Sequence, residues 1–144
     1  MYIMPFKYLE EIAVADIAFE ATGKNLEELF AACAEALEDS MVNLKNVNPK
    51  VKKTIEIQEE DQETLLFKFL NELIYLKDAE GLLFSKFNVK IKQNKKHVLT
   101  AELAGEKIDR NRHELRNDVK AVTYHMFEIK KAGKNLKATI ILDI

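Results

Sequence analysis

Four glycines, at Gly23, Gly81, Gly105 and Gly133, are too few and too scattered for a phosphate-binding loop. The single cysteine, Cys33, excludes an internal disulfide and fits a reducing compartment. With one cysteine and three histidines, His97, His113 and His125, no zinc-ligand spacing is present. Serine is scarce, and neither Ser40 nor Ser85 lies in a nucleophile elbow. No apolar run approaches the roughly 20 residues of a membrane span. Met1 to Pro5 lead into charged sequence without the apolar stretch of a secretory leader, so a cytoplasmic protein that does not enter membranes is expected. Charge of one sign is lacking too. With 22 basic and 24 acidic residues the net charge is −2, which gives no footprint for autonomous nucleic-acid binding.

What is present is a good core. Hydrophobic residues make up 47% of 144, enough for one domain over residues 1–144. The pattern predicts an α+β fold in two layers, with two main helices packed on one face of a largely antiparallel sheet. Phe6 to Ile12 and Ala15 to Thr22 read as strands, with Gly23 and Asn25 marking the turn after them. Asn25 caps a helix carrying Glu27 and Glu28 in its first turn and apolar residues at helical spacing to about Asn43. Asn46 to Pro49 is a loop, and Val51, Ile55 and Ile57 run a strand through a basic stretch. Asp61 caps a second helix with a wide apolar face, and Gly81 stops it. Further strands follow at Leu82 to Gln93, His97 to Gly105, Tyr124 to Lys131 and Leu136 to Asp143. The last two are joined by the turn Ala132 to Asn135, and the polar run Asn94-Lys95-Lys96 is another hairpin turn.

Glu106 to Val119 has no clear period and holds Arg110, Arg112, His113 and Arg116. Its Arg110, Arg112 and His113 cluster either meets an acidic or phosphate surface or folds back on neighbouring glutamates, the second reading being slightly preferred. Cys33 falls on the apolar face of the first helix and reads as a buried thiol. His125, between Tyr124 and Met126, reads as a strand histidine with a satisfied hydrogen bond.

The ending Ile140-Ile-Leu-Asp-Ile144 carries the clearest chemistry. Asp143 and the α-carboxyl of Ile144 place two hard anionic groups one residue apart. A third carboxylate brought near them would complete an oxygen site suited to Ca²⁺ or Mg²⁺.

Several separated segments then resemble one family. Asp118-Val-Lys-Ala-Val-Thr-Tyr-His125 is similar to the signature of the archeases, and Asp78-Ala-Glu-Gly-Leu-Leu-Phe84, following an apolar helix, resembles theirs as well. So do Ala15-Asp-Ile17 with the strand, Gly23 and the helix start Leu26-Glu-Glu, the irregular Asp109-Arg-Asn-Arg-His113, and the ending. The resemblance implies a small non-enzymatic protein that assists the RtcB-type RNA ligase of tRNA splicing and RNA repair, promoting ligase guanylylation and repeated turnover. It also implies a metal site formed by Asp16, Asp143 and the carboxylate of Ile144, and a partner contact at Lys120. No direct high-affinity nucleic-acid binding is implied. Where the family usually reads His-Thr-Ala-Asp, this chain has Ala13-Val14-Ala15-Asp16, losing an imidazole and a hydroxyl near the proposed metal. Losses of that kind weaken a site roughly 10–100-fold. Two other classes stay open: a metal-dependent phosphoesterase acting alone, and a chaperone-like adaptor in RNA modification.

Overall fold

The architecture follows from where apolar residues recur and where the chain must turn. A computed structural model of the protein describes residues 5–9 and 16–144. Strands β1 (Phe6–Leu9) and β2 (Asp16–Gly23) lead into helix α1 (Leu26–Met41) and a short 3-10 turn at Leu44–Asn46. Strand β3 (Val51–Glu59), helix α2 (Gln62–Glu80), β4 (Leu82–Gln93) and β5 (His97–Lys107) come next. The chain closes with β6 (Ala121–Val122), β7 (Glu128–Ala132) and β8 (Asn135–Asp143). The expected residues Glu10 to Ile12 and Ala15 of the first two strands lie outside the described residues, as do Ala13 and Val14.

The α+β class holds, and every strand pair is antiparallel. The strands divide into two sheets where the sequence reading has one. The first runs β1-β2-β8-β6, with β7 also pairing to β8; the second runs β3-β5-β4. Helix α1 touches β2 of one sheet and β4 of the other, and α2 meets β3, β4 and β5 on one side and β6 and β7 on the other. A helix gripped from both sides must bury most of its circumference. Ala32 and Ala36 on one side and Ala34 on the other give α1 slim flanks bordering the stripe of Leu29, Phe30, Cys33 and Leu37. One apolar core therefore joins both sheets.

Local signals fix the element ends. Asn25 accepts a hydrogen bond from the Glu28 N–H at 2.9 Å, and Asp61 accepts from the Thr64 N–H at 2.7 Å. Gly81 ends α2 in the left-handed region at φ 65°. Gly133, at φ 63°, starts the two-residue turn between β7 and β8.

One strand needs correction. Tyr124 to Lys131 is not continuous: a two-residue strand, Ala121–Val122, precedes a turn, and β7 begins only at Glu128. The Phe127 N–H donates to the Tyr124 carbonyl at 3.1 Å, and Met126 sits at φ 55°. Apolar alternation hides this break. Tyr124 leaves the sheet to stack on Phe67 of α2, with ring centroids 3.7 Å apart and planes 11° from parallel.

Candidate metal centre

β8 occupies the middle of its sheet. On one side it pairs with β2 and on the other with β6. The β2–β8 register places Ile17 opposite Leu142, Phe19 opposite Ile140 and Ala21 opposite Ala138, all facing the core. The alternate positions share the other face, and the first of these pairs is Asp16 opposite Asp143. Directly opposed residues project to one face with Cβ atoms about 4.5–5.5 Å apart. Two of the three carboxylates of the sequence reading, Asp16 and Asp143, are thus set opposite each other by strand pairing, while Ile144 is half-buried with its side chain against the core. Both aspartates are half-buried.

Like charges in direct register destabilise a sheet unless something lies between or beside them. Among the described residues neither carboxylate is in an ion pair, while Glu20, two pairs further along the same face, has both Lys7 and Lys137 at 3.6 Å. The donor set is all oxygen, as a hard cation requires. Among the described residues no three His, Cys, Asp or Glu side chains are grouped to hold a metal. Two carboxylates in register fit a hard cation that takes further oxygens from the main chain and from water.

Lys120 is exposed and stands next to this pair through the backbone: its N–H donates to the Asp143 carbonyl at 2.7 Å, and Ala121 is the cross-strand partner of Asp143. The segment before it is pinned by a residue the sequence reading passed over. Lys77, almost fully buried, donates to Asp118 at 2.6 Å and to the Val119 carbonyl at 2.8 Å, with Asp78 at 3.0 Å. That contact holds the Asp118 carboxyl below its ordinary value. The legible signal was a lysine on the apolar stripe of α2, four residues after Leu73. Asn71 completes the support, accepting from the Val122 N–H at 3.1 Å.

Beside Asp16 opens a cavity of about 440 Å³, lined among the described residues by Tyr8, Asp39, Ser40, Arg116 and Asn117. Tyr8 donates its hydroxyl to Asp39 at 2.8 Å, and Arg116 reaches the same carboxylate at 3.1 Å and its carbonyl at 2.9 Å. Burial, then the bond to Asp39, pushes the Tyr8 hydroxyl above its usual range.

The irregular segment folds back on a glutamate. Arg112 and His113 both meet Glu106, the histidine Nε2 at 2.6 Å. His113 Nδ1 accepts from the Asp109 N–H at 2.8 Å, so Nε2 carries the proton and donates it to Glu106. Burial first, then Arg112, lowers the His113 pKa and favours this neutral form. Cys33 is fully buried, and burial raises its thiol pKa; it is a packing residue. His125 lies exposed in the turn, with its N–H donating to the Thr123 hydroxyl at 3.3 Å.

The chain matches the family described as "Archease protein family (MTH1598/TM1083)" over residues 6–144. This protein belongs to the archease family. It is 47% identical over 118 residues to the protein archease of Pyrococcus furiosus, covering 81% of this chain and 83% of that one. It is 38% identical over 139 residues to that of Sulfurisphaera tokodaii, covering 96% and 98%. The solution structure of Methanobacterium thermoautotrophicum protein 1598 superposes with a TM-score of 0.87 at 38% identity, covering 99% and 100% of the two chains. A crystal structure described as an archease, possible chaperone, from Thermotoga maritima shares the fold, with a TM-score of 0.63 at 22% identity over 92% and 93% of the chains. No helix among the described residues of this archease is long and apolar enough to cross a membrane.

Proposed function

We propose that this archease is a non-enzymatic, cation-binding activator of an RtcB-type RNA ligase, acting in the cytoplasm to promote ligase guanylylation and repeated rounds of RNA joining. The observation that carries the reading is the register of Asp16 with Asp143. Like charges directly opposite destabilise a sheet; the pair Lys130 opposite Lys137 on the same strand is offset by Glu128 and Glu20, whereas Asp16 and Asp143 face each other without a cationic partner among the described residues. Asp16 and Asp143 would hold Ca²⁺ or Mg²⁺, with the Ile144 carboxylate, carried over from the family resemblance, as a third donor. When bound, the cation neutralises the cluster and presents positive charge to a phosphate or carboxylate of the partner. Lys120, anchored beside Asp143 by its backbone, adds a second positive group at the same sheet end. Lys77 and Asn71 position it by clamping the residues on either side.

The test is RNA joining under multiple turnover by the cognate ligase, with GTP and metal supplied. Untagged and N-terminally tagged protein should stimulate joining, and Asp16→Asn should not. A C-terminal extension, which turns the Ile144 carboxylate into an amide, should weaken stimulation. Equal stimulation by C-tagged and untagged protein would remove the terminal carboxylate from the site. Absence of stimulation by any form would overturn the activator reading. Turnover of model phosphodiesters by the isolated protein with Mg²⁺ or Mn²⁺ would favour a phosphoesterase instead.

A further inference from the structure

The net charge of −2 conceals a segregation of lysines that only the second sheet reveals. Its inner face carries Ile55, Val89, Leu99, Ala101 and Leu103. On its outer face, register sets Lys86, Ala104 and Lys52 in one row and Lys90, Thr100 and Glu56 in another. Asn88, Glu102 and Thr54 lie between them, and Lys92, Val98 and Gln58 follow. All four lysines are exposed, and none is in an ion pair among the described residues. By contrast, Lys53 on the inner register of β3 pairs with Glu80 at 2.9 Å, and Lys68 pairs with Glu59 at 2.8 Å. Lys95 and Lys96, at the tip of the β4–β5 hairpin, extend the stripe. Glu56 and Glu102 are the opposing charges on the face, and the Glu35 carboxylate of α1 also feels Lys86.

The dimensions make these lysines act together. Two strand spacings separate Lys86 from Lys52, about 9–10 Å, and Lys90 lies roughly 13 Å along the strand from Lys86, with Lys92 about 7 Å further. These separations are comparable with the Debye length of about 10 Å at 0.1 M salt. The small residues Ala104 and Thr54 keep the middle low, leaving a shallow depression of about 340 Å³ between Lys52 and Lys86. The face has no exposed aromatic, Met or Leu. It therefore lacks the apolar anchor that a protein interface or membrane insertion needs, and it lacks a stacking platform for bases.

We propose that this lysine face binds the phosphate backbone of RNA, weakly and without sequence preference, holding a substrate by charge alone. That the polyanion is RNA rests on the proposed function; recognition of a polyanion rests on the face itself. Four phosphate contacts predict a salt slope of about −2.8 to −3.6 in log K against log salt, or a roughly 50- to 150-fold loss of affinity between 50 and 200 mM.

Fluorescence anisotropy with a short labelled RNA hairpin, without ligase, tests this. Reversing the four lysines (K52E, K86E, K90E, K92E) should lower affinity at least tenfold and flatten the salt slope. Reversing four exposed lysines elsewhere (K24E, K45E, K131E, K134E) matches the change in net charge and should cost less than threefold. Thermal melts of both variants establish that they fold. Asp16→Asn should bind RNA as the wild type does, which separates this proposal from the metal reading. Equal loss in the two quadruple variants, or no binding by the wild type at low salt, would overturn it. So would tighter binding to phosphatidylserine vesicles than to RNA.

Discussion

Glu38 should make the protein less stable as pH rises, and replacing it should cancel that trend. The side chain lies on α1, fully buried, with Oε1 accepting the Phe84 N–H at 3.2 Å and Oε2 without a hydrogen-bond partner among the described residues. Burial is the dominant influence, outweighing the Phe84 hydrogen bond and the attraction of Lys77, and it pushes the carboxyl up to about 8. Because the folded pKa lies above the unfolded one, the group's stabilisation is complete at low pH and is lost as pH rises from the unfolded value through about 8. At about 1.4 kcal/mol per pH unit, the loss between pH 5 and pH 8 is about 3 kcal/mol. Glu38→Gln keeps an acceptor for Phe84 and never ionises. Other carboxylates titrate in both proteins, so the informative quantity is the difference in urea-unfolding free energy between variant and wild type. That difference should be small at pH 5 and favour the variant by about 3 kcal/mol at pH 8. A difference independent of pH would show that Glu38 is ionised in the folded state or has water access, and would refute the reasoning.

Three further outcomes follow from single contacts. Asp61→Ala should cost about 1 kcal/mol at neutral pH by removing the α2 cap; the Thr64 N–H bond depresses the Asp61 pKa, so this contribution fades as pH falls through the carboxylate range, as urea titrations at pH 3 and 7 will read. Asp16→Asn should stabilise the metal-free protein by roughly 0.2–1 kcal/mol through relief of the register repulsion with Asp143, while removing any rise in melting temperature on adding Ca²⁺; a melt with and without chelator measures both. Gly105→Ala should abolish soluble folded protein or lower its melting temperature steeply, because the added methyl would overlap the Leu83 carbonyl and the Phe84 backbone; solubility and circular dichroism decide it.

Helices were the legible part of the fold because their signals are local. Asn25, Asp61 and Gly81 each act on backbone groups within four residues, and each does so in the structure. The long hairpin β4–β5 was equally clear, since its turn Asn94 to Lys96 interrupts two alternating runs. Division into two sheets was not legible, because alternation shows that a strand has a buried face and not which neighbour covers it. Ala121–Val122 escaped for the same reason: two residues carry no period, and their strand identity comes from pairing with Leu142 and Asp143. At the candidate site, Asp16 and Asp143 were named from the chain, while their opposition is a product of register. Lys77 and Glu38 were hidden by reading apolar stripes as wholly apolar, although each breaks its stripe with a charge.

The position of β8 fixes Asp143 firmly in the sheet. The end of a strand ordinarily frays where nothing pairs with it on at least one side. Here β2 pairs with β8 along its length, β7 and β6 cover the other edge, and Leu142 is fully buried. Asp143, the last residue of β8, is therefore held as firmly as a central-strand residue, paired with Asp16 on one side and Ala121 on the other. Its neighbours divide the labour: Leu142 faces the core opposite Ile17, and Asp143 faces Asp16 on the other side. The apolar pair stabilises the strand, and the acidic pair opposes it slightly. A repulsive pair held at the paired ends of two interior strands would give a cation rigid ligands, since no ordering of ligands would then have to be met at the moment of binding. Lys120, fixed to the Asp143 carbonyl, inherits the same rigidity.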